Sequence, residues 1–272
     1  MCKTVILMFL AAATLLLVKD SQGIDIPSGR KVMVVAHRGA SGYAPENTMA
    51  AFRLAHEMGA DMLELDVWRS ADGYIVVMHD DTVDRTTNGA GRIEEMTLQQ
   101  IKKLDAGSKL RQEFANEPVP TLEEVLAWAG DKILVNIEIK GPGCEEKIVE
   151  LLKKHKMTGK VIVTSFHHEY VAKIKELEPA IETGALVSEI EDLKAVIENC
   201  RPNAIVPKYT KVTKNQVAEA HKIGLRMIVY TVNDTASMRQ MIQYGVDGII
   251  TNYPDMLIKL MNKMNKKTGG KE

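Results

Sequence analysis

The chain is poor in the features that staple, coat or span. Cys2, Cys144 and Cys200 are its only three cysteines in 272 residues, too few for a disulfide framework in a chain of this size. Positive charge is not in excess. The 35 Lys and Arg residues stand against 36 Asp and Glu, which argues against a protein whose main task is coating nucleic acid, because that needs a basic surplus. No internal repeat is present, and the ordinary fractions of hydrophobic (45%) and charged (26%) residues exclude collagen-like, coiled-coil and disordered chains. After residue 18 no apolar run reaches the roughly 20 residues that a membrane helix requires.

The one long apolar run lies at the start. Val5 to Val18 is 14 residues without a charge, preceded by Lys3 and followed by Ser21 and Gly23, small residues at the -3 and -1 positions of a cleavage site. This is the pattern of a secretory leader over residues 1–23, and it predicts an extracytoplasmic protein, secreted or periplasmic. An uncleaved N-terminal anchor is the alternative; no cysteine follows where a lipoprotein needs one. Residues 24–272 then form a single domain of 249 residues with a net charge of -2, with Cys144 and Cys200 as free or buried thiols and no stable membrane span.

Short β-branched runs alternate with amphipathic stretches through the whole of that domain. Strands are expected at 32–36, 62–67, 133–139, 161–165, 183–187, 204–207, 226–231 and 248–251. Helices are expected at 48–58, 97–104, 121–128, 145–154, 169–177, 190–198, 214–222 and 236–243. Asn47, Thr97 and Thr121 are their expected N-caps where one can be named. Gly59, Gly159, Gly224 and Gly245 stand where helices should stop. Such alternation means parallel strands with helical crossovers. One further strand, 74–78, follows 62–67 after only a tight turn, which allows an antiparallel hairpin and not a crossover. Eight helix-linked parallel strands remain, the number in a (β/α)8 TIM barrel. An open doubly wound sheet is the other possibility, but no GxGxxG follows the first strand. Residues 80–120 read as an insertion over the barrel mouth, and the Lys-rich tail 261–272 as a frayed end.

Polar residues gather where these strands end, at the face where barrels carry their chemistry. Glu64 and Asp66 are two apart on one strand and so share a face. Glu138 ends the neighbouring strand. Two adjacent carboxylates repel unless a cation compensates, and three suit a hard divalent ion such as Mg²⁺ or Ca²⁺; pairing with Lys and Arg on a solvated rim is the competing reading. His37 and His79 arrive at the same end from the first strand and the hairpin. Imidazole exchanges protons near neutral pH, whereas a lone His is more often a packed residue. Arg38 offers a planar fork for phosphate, and Lys140, two residues after Glu138, faces the same side. His56, His155 and His221 lack such company and read as solvated.

These segments together resemble the glycerophosphodiester phosphodiesterases. The resemblance rests on Ala36-His37-Arg38-Gly39-Ala40, Ala44-Pro45-Glu46-Asn47-Thr48, Glu64-Leu65-Asp66, His79-Asp80, Glu138-Ile139-Lys140, Thr164-Ser165-Phe166, Thr231-Val232-Asn233 and residues 245–252. They run in order over nearly the whole domain. The resemblance implies a TIM barrel with an insertion after the hairpin. It implies that His37 and His79 form an acid/base pair, that Glu64, Asp66 and Glu138 bind one divalent cation, Ca²⁺ or Mg²⁺, and that Arg38 and Lys140 hold phosphate. Glu46 is then either a site-floor residue or a brace for the first helix. Tyr230, where many relatives carry Trp, lines the pocket, and Asn252 replaces a frequent Asp at the rim. The expected reaction is hydrolysis of a small-molecule glycerophosphodiester to glycerol 3-phosphate and an alcohol. A phospholipase-D-like enzyme acting on lysophospholipids or sphingomyelin, and a binding protein without turnover, are the rivals. The first would want an apolar mouth, and the 106–118 loop has only Leu110 and Phe114 as large apolar residues.

Overall fold

In the computed structural model, residues 24, 26 and 28–268 are described; the expected leader, residues 1–23, lies outside them. Nine strands are present among these residues: β1 Met33–Ala36, β2 Met62–Arg69, β3 Ile75–Val77, β4 Leu134–Ile139, β5 Val161–Ser165, β6 Glu182–Val187, β7 Ala204–Pro207, β8 Arg226–Val229 and β9 Gly248–Thr251. Neighbours pair in the order β1-β9-β8-β7-β6-β5-β4-β2-β3, and β1 also pairs with β2. That second pairing closes eight parallel strands into a barrel. β3 stays outside it, antiparallel to β2 with Val67 opposite Val77 and Arg69 opposite Ile75. The helices between strands are α1 Met49–Glu57, α2 Leu98–Ile101, α3 Leu122–Ala129, α4 Glu145–Lys154, α5 His168–Leu177, α6 Leu193–Cys200, α7 Lys214–Lys222 and α8 Thr235–Tyr244, with α9 Pro254–Thr268 after the last strand. This is the (β/α)8 TIM barrel expected from the alternation, with its hairpin and insertion.

Strand parity divides the core in two. One set of positions faces the helices: Val34, Ala36, Leu63, Leu65, Val135, Ile137, Val163 and Ile205 belong to the large cluster shared with Phe52, Leu126, Ile148 and Val171. The other set faces inward: Met33, Val35, Met62, Leu134, Ile162, Leu186, Ala204, Val206, Ile228 and Ile250 fill the barrel. A period of two therefore carries the inward face on to His37, Glu64, Asp66, Asn136, Glu138, Thr164 and Tyr230. The insertion has a small core of its own, in which Val76 and Met78 meet Val83, Ile93, Ile101, Ala106 and Val119. Cys144 and Cys200 are free and buried.

Several local expectations change. Thr48, not Asn47, caps α1: its hydroxyl accepts from the Ala51 amide at 3.3 Å. Asn47 has φ +58° and sends its side chain to the barrel instead. Thr97 and Thr121 do cap their helices, each in a reciprocal capping box, although α2 stops at Ile101. Gly59, Gly224 and Gly245 end helices with φ near +80°. Gly159 does not; it lies in a 3₁₀ turn over Thr158–Lys160. β8 ends at Val229, and Tyr230 instead bridges to Lys208. The tail is not frayed as far as it is described. Pro254 starts α9, where its fixed φ suits a first helical position, and Leu257, Leu260 and Met261 are buried at helical spacing.

Candidate active site

The β1–α1 turn is built to bring Arg38 inward. Arg38 itself has φ +52°, a conformation that costs free energy for a residue with a Cβ and is held only where surroundings over-determine it. Gly39 follows at φ +79°, where a Cβ would lie 2.6 Å from the Ala51 carbonyl carbon, so the turn can lie against α1 only with glycine there. The Arg38 amide donates to Glu64 Oε2 at 2.8 Å. The guanidinium reaches Glu46 Oε1 at 2.9 Å and Asp66 Oδ2 at 3.2 Å.

Glu64, Asp66 and Glu138 come together as parity requires. One oxygen from each lies within 4.8 Å of the others. Glu64 and Asp66 are 3% and 1% exposed, so the solvated-rim alternative does not hold for them. Asn47 donates to Asp66 Oδ2 at 2.9 Å, but Asp66 Oδ1 is buried without a hydrogen-bond partner. Lys140 Nζ bonds Glu138 at 2.7 Å and stands 3.7 Å from that Asp66 oxygen. Burial, and then repulsion from Asp66 and Glu138, raise the Glu64 carboxyl well above its ordinary range. Burial and Asp66 push Glu138 up to about 7 despite Lys140. Arg38 and Lys140 thus leave the cluster short of positive charge. An orphaned buried carboxylate oxygen beside two carboxyls that resist ionisation is a donor set that fits a divalent cation.

The two histidines open onto the same cleft, and each is oriented from behind. His37 Nδ1 lies 2.7 Å from Asn252 Oδ1, and its Nε2 is 4.0 Å from Glu64. With an amide oxygen behind it, Nδ1 carries the proton and Nε2 is left to face the cleft. Burial, reinforced by the Arg38 charge, lowers His37 to about 4. His79 Nδ1 lies 2.6 Å from Asp80 Oδ1, and its Nε2 3.4 Å from Lys140 Nζ. The Trp68 indole donates to the His79 carbonyl at 3.1 Å and fixes the return of the hairpin. Arg85, from the insertion, grips Asp80 at 2.5 Å and Glu46 at 2.7 Å. Glu46 therefore lies between Arg38 and Arg85 and braces the site, not α1.

A cleft of about 190 Å³ is lined by His37, Arg38, Glu64, His79, Glu138, Lys140, Phe166 and Tyr230, among others. Tyr230 donates to the Val187 carbonyl at 3.1 Å and meets Phe166 edge to face at 5.9 Å. Of the residues proposed from the sequence, Asp66 is buried behind this cleft and Glu46 lines a neighbouring cavity with Arg85. Of the histidines set aside, His56 and His221 are exposed while His155 is half-buried against Glu123. Asn252, Asp80, Arg85 and Asn47 are the additions. Asn252 is more than a rim residue, since it orients His37.

A family model described as the glycerophosphoryl diester phosphodiesterase family matches residues 37–256. A glycerophosphodiester phosphodiesterase of Caldanaerobacter subterraneus subsp. tengcongensis is 43% identical over 241 residues, covering 86% of this chain and 99% of that protein. One from Bacillus subtilis is 39% identical over 259 residues, covering 87% and 88%. Among solved structures, an Oleispira antarctica phosphodiesterase in complex with the product sn-glycerol-3-phosphate gives a TM-score of 0.80 at 33% identity, covering 85% of this chain and 96% of that one. The fold, the inward-facing acidic cluster and these likenesses agree: the chain belongs to the glycerophosphoryl diester phosphodiesterase family of enzymes.

Proposed function

We propose that this enzyme hydrolyses glycerophosphodiesters to glycerol 3-phosphate and a free alcohol, using His37 and His79 for proton transfer beside one divalent cation, Ca²⁺ or Mg²⁺, held by Glu64, Asp66 and Glu138. The observation that carries this reading is that both imidazoles, Glu64 and Glu138 line one cleft, with the buried Asp66 carboxylate within 4.8 Å of the other two. When bound, the cation supplies positive charge close to the non-bridging phosphate oxygens. Arg38 and Lys140 line the same cleft and add fixed positive charge where negative charge develops during displacement. One imidazole takes the proton of the attacking hydroxyl, which is the glycerol 2-hydroxyl or water. The other gives a proton to the leaving alcohol. Asn252 and Asp80 hold Nδ1 of the two rings, so proton exchange runs through the Nε2 atoms. Tyr230 and Phe166 form an aromatic wall for the organic part of the substrate. The leader pattern supports a reaction outside the cytoplasm.

The test is a panel of glycerophosphodiesters and lysophosphatidylcholine, each with and without Ca²⁺, Mg²⁺ or Zn²⁺. Cation-dependent release of glycerol 3-phosphate is the expected result. No turnover of any glycerophosphodiester would leave only a binding role, and faster choline release from lysophosphatidylcholine would make the enzyme phospholipase-D-like.

A further inference from the structure

The far end of the barrel is closed by residues that precede β1. Ile24 and Ile26 pack against the inward cluster that contains Met33, Leu134 and Ile162. The Gly29 amide donates to the Ile26 carbonyl at 2.9 Å and turns the chain toward the strand. Arg30 then clamps it through the Gly59 carbonyl at 2.9 Å and Asp61 at 3.0 Å. This short segment is therefore seated on the barrel at both of its ends.

Its first residue makes a polar contact in an apolar place. The Ile24 nitrogen is 2.6 Å from Oε1 of Glu182, 158 residues later in the chain. Glu182 begins β6 and shares the inward parity of Gly184 and Leu186. Its carboxylate, 12% exposed, also pairs with Arg226, which begins β8. A carboxylate drawn into an apolar layer needs donors and countercharge around it. A peptide nitrogen at position 24 supplies one donor and no charge. A chain terminus at the same nitrogen supplies three donors and a full positive charge. The sequence independently marks the bond before Ile24, with Ser21 and Gly23 at the -3 and -1 positions.

We propose that the Gly23–Ile24 bond is the processing site of the leader, and that the Ile24 ammonium released there is bound by Glu182 inside the N-terminal mouth of the barrel. The step is a hydrolysis by a leader peptidase. The C–N bond breaks, and the hydroxyl of water joins the Gly23 carbonyl carbon while its hydrogen goes to the Ile24 nitrogen. At neutral pH the new acid gives up its proton and the new amine takes one up. Processing thus completes the barrel floor: it turns a neutral contact into an ion pair and fastens Ile24 and Ile26 in place. The site lies at the opposite end of the barrel from the cleft and is independent of the reading of the catalytic residues.

The full chain, exported from a host with a leader peptidase, is read by N-terminal sequencing and intact mass. A mature chain beginning at Ile24 is expected; retention of residues 1–23, or a start beyond Ile24, overturns the proposal. Chains beginning at Ile24 are then compared with the amine free or acetylated. Acetylation is expected to lower Tm by roughly 3 °C, about the shift that a modest lost interaction gives in a domain of this size, with kcat unchanged. In the Glu182→Gln background the free and acetylated chains should melt together, and in Glu182→Asp the difference should shrink. Equal melting with Glu182 intact, or a difference that survives Glu182→Gln, overturns the ion pair.

Discussion

The two ends of this barrel are made by the same strands and have opposite chemistry. Toward the N-terminal end the inward positions are Met33, Met62, Leu134, Ile162 and Ala204, all buried and apolar, interrupted by the single pair of Glu182 and Arg226. Two to four residues further along, β1, β2 and β4 present His37, Glu64, Asp66 and Glu138. The lower layer gains free energy from burial at about 25 cal/mol per Å² of apolar surface. The upper layer spends some of it, on repelling carboxylates and on the left-handed turn at Arg38. The lesson is a division of labour by register: a shift of one residue on any of these strands would exchange site and exterior.

The sharpest way to break that division is at the acidic cluster. Glu64→Ala, or removal of divalent cations by a chelator, should take turnover to background, a loss of several kcal/mol of transition-state stabilisation. Activity that survives exhaustive chelation unchanged would sink the cation reading. His37→Ala and His79→Ala come next, each lowering kcat by about 10²- to 10⁴-fold with little change in Tm; near-wild-type rates in both would remove the proton-transfer assignment. The converse change lies in the lower layer. Ile162→Ala should cost about 2–5 kcal/mol of stability, read as a lower denaturation midpoint, while kcat below the transition stays the same. If kcat fell in step with stability, the two ends would not be separable.

The same division explains how much could be read in advance. The parity of Glu64 and Asp66, the hairpin and the seven crossovers are local patterns with periods of two and 3.6 residues, and they are visible in one sequence. The orienting shell is not. His37 and Asn252 are 215 residues apart, and Arg85 joins Asp80 to Glu46 across the insertion. Such contacts depend on where the barrel closes, which no local pattern encodes. Asn47 misleads for the opposite reason. It looks like a helix cap because Asn favours that position, but the adjacent Thr48 takes the role and frees the amide to hold Asp66. The α9 helix was hidden by composition: its lysines suggested a solvated tail, while Leu257, Leu260 and Met261 already had helical spacing.

The smallest effect concerns pH, and its sign is fixed by the cluster. In the cation-free enzyme Glu64 and Glu138 hold their protons above the range of an unfolded carboxyl, Glu138 up to about 7. A folded pKa raised above the unfolded value contributes stability that is complete below about pH 4 and is lost as pH rises toward 7. Through this site, then, the cation-free Tm should fall by a few degrees between pH 5.5 and 8. A cation requires the deprotonated carboxylates, so its stabilising effect should run the other way, small at pH 5.5 and larger at pH 8. Melting curves at both pH values, with and without Ca²⁺ or Mg²⁺, measure the two trends together. Glu138→Gln removes a titrating group from the cluster and should flatten both. A cation-induced gain in Tm that is equal at the two pH values would mean that these carboxyls do not titrate with cation binding, and the contrast between a charged upper layer and a neutral lower one would then have no thermodynamic consequence.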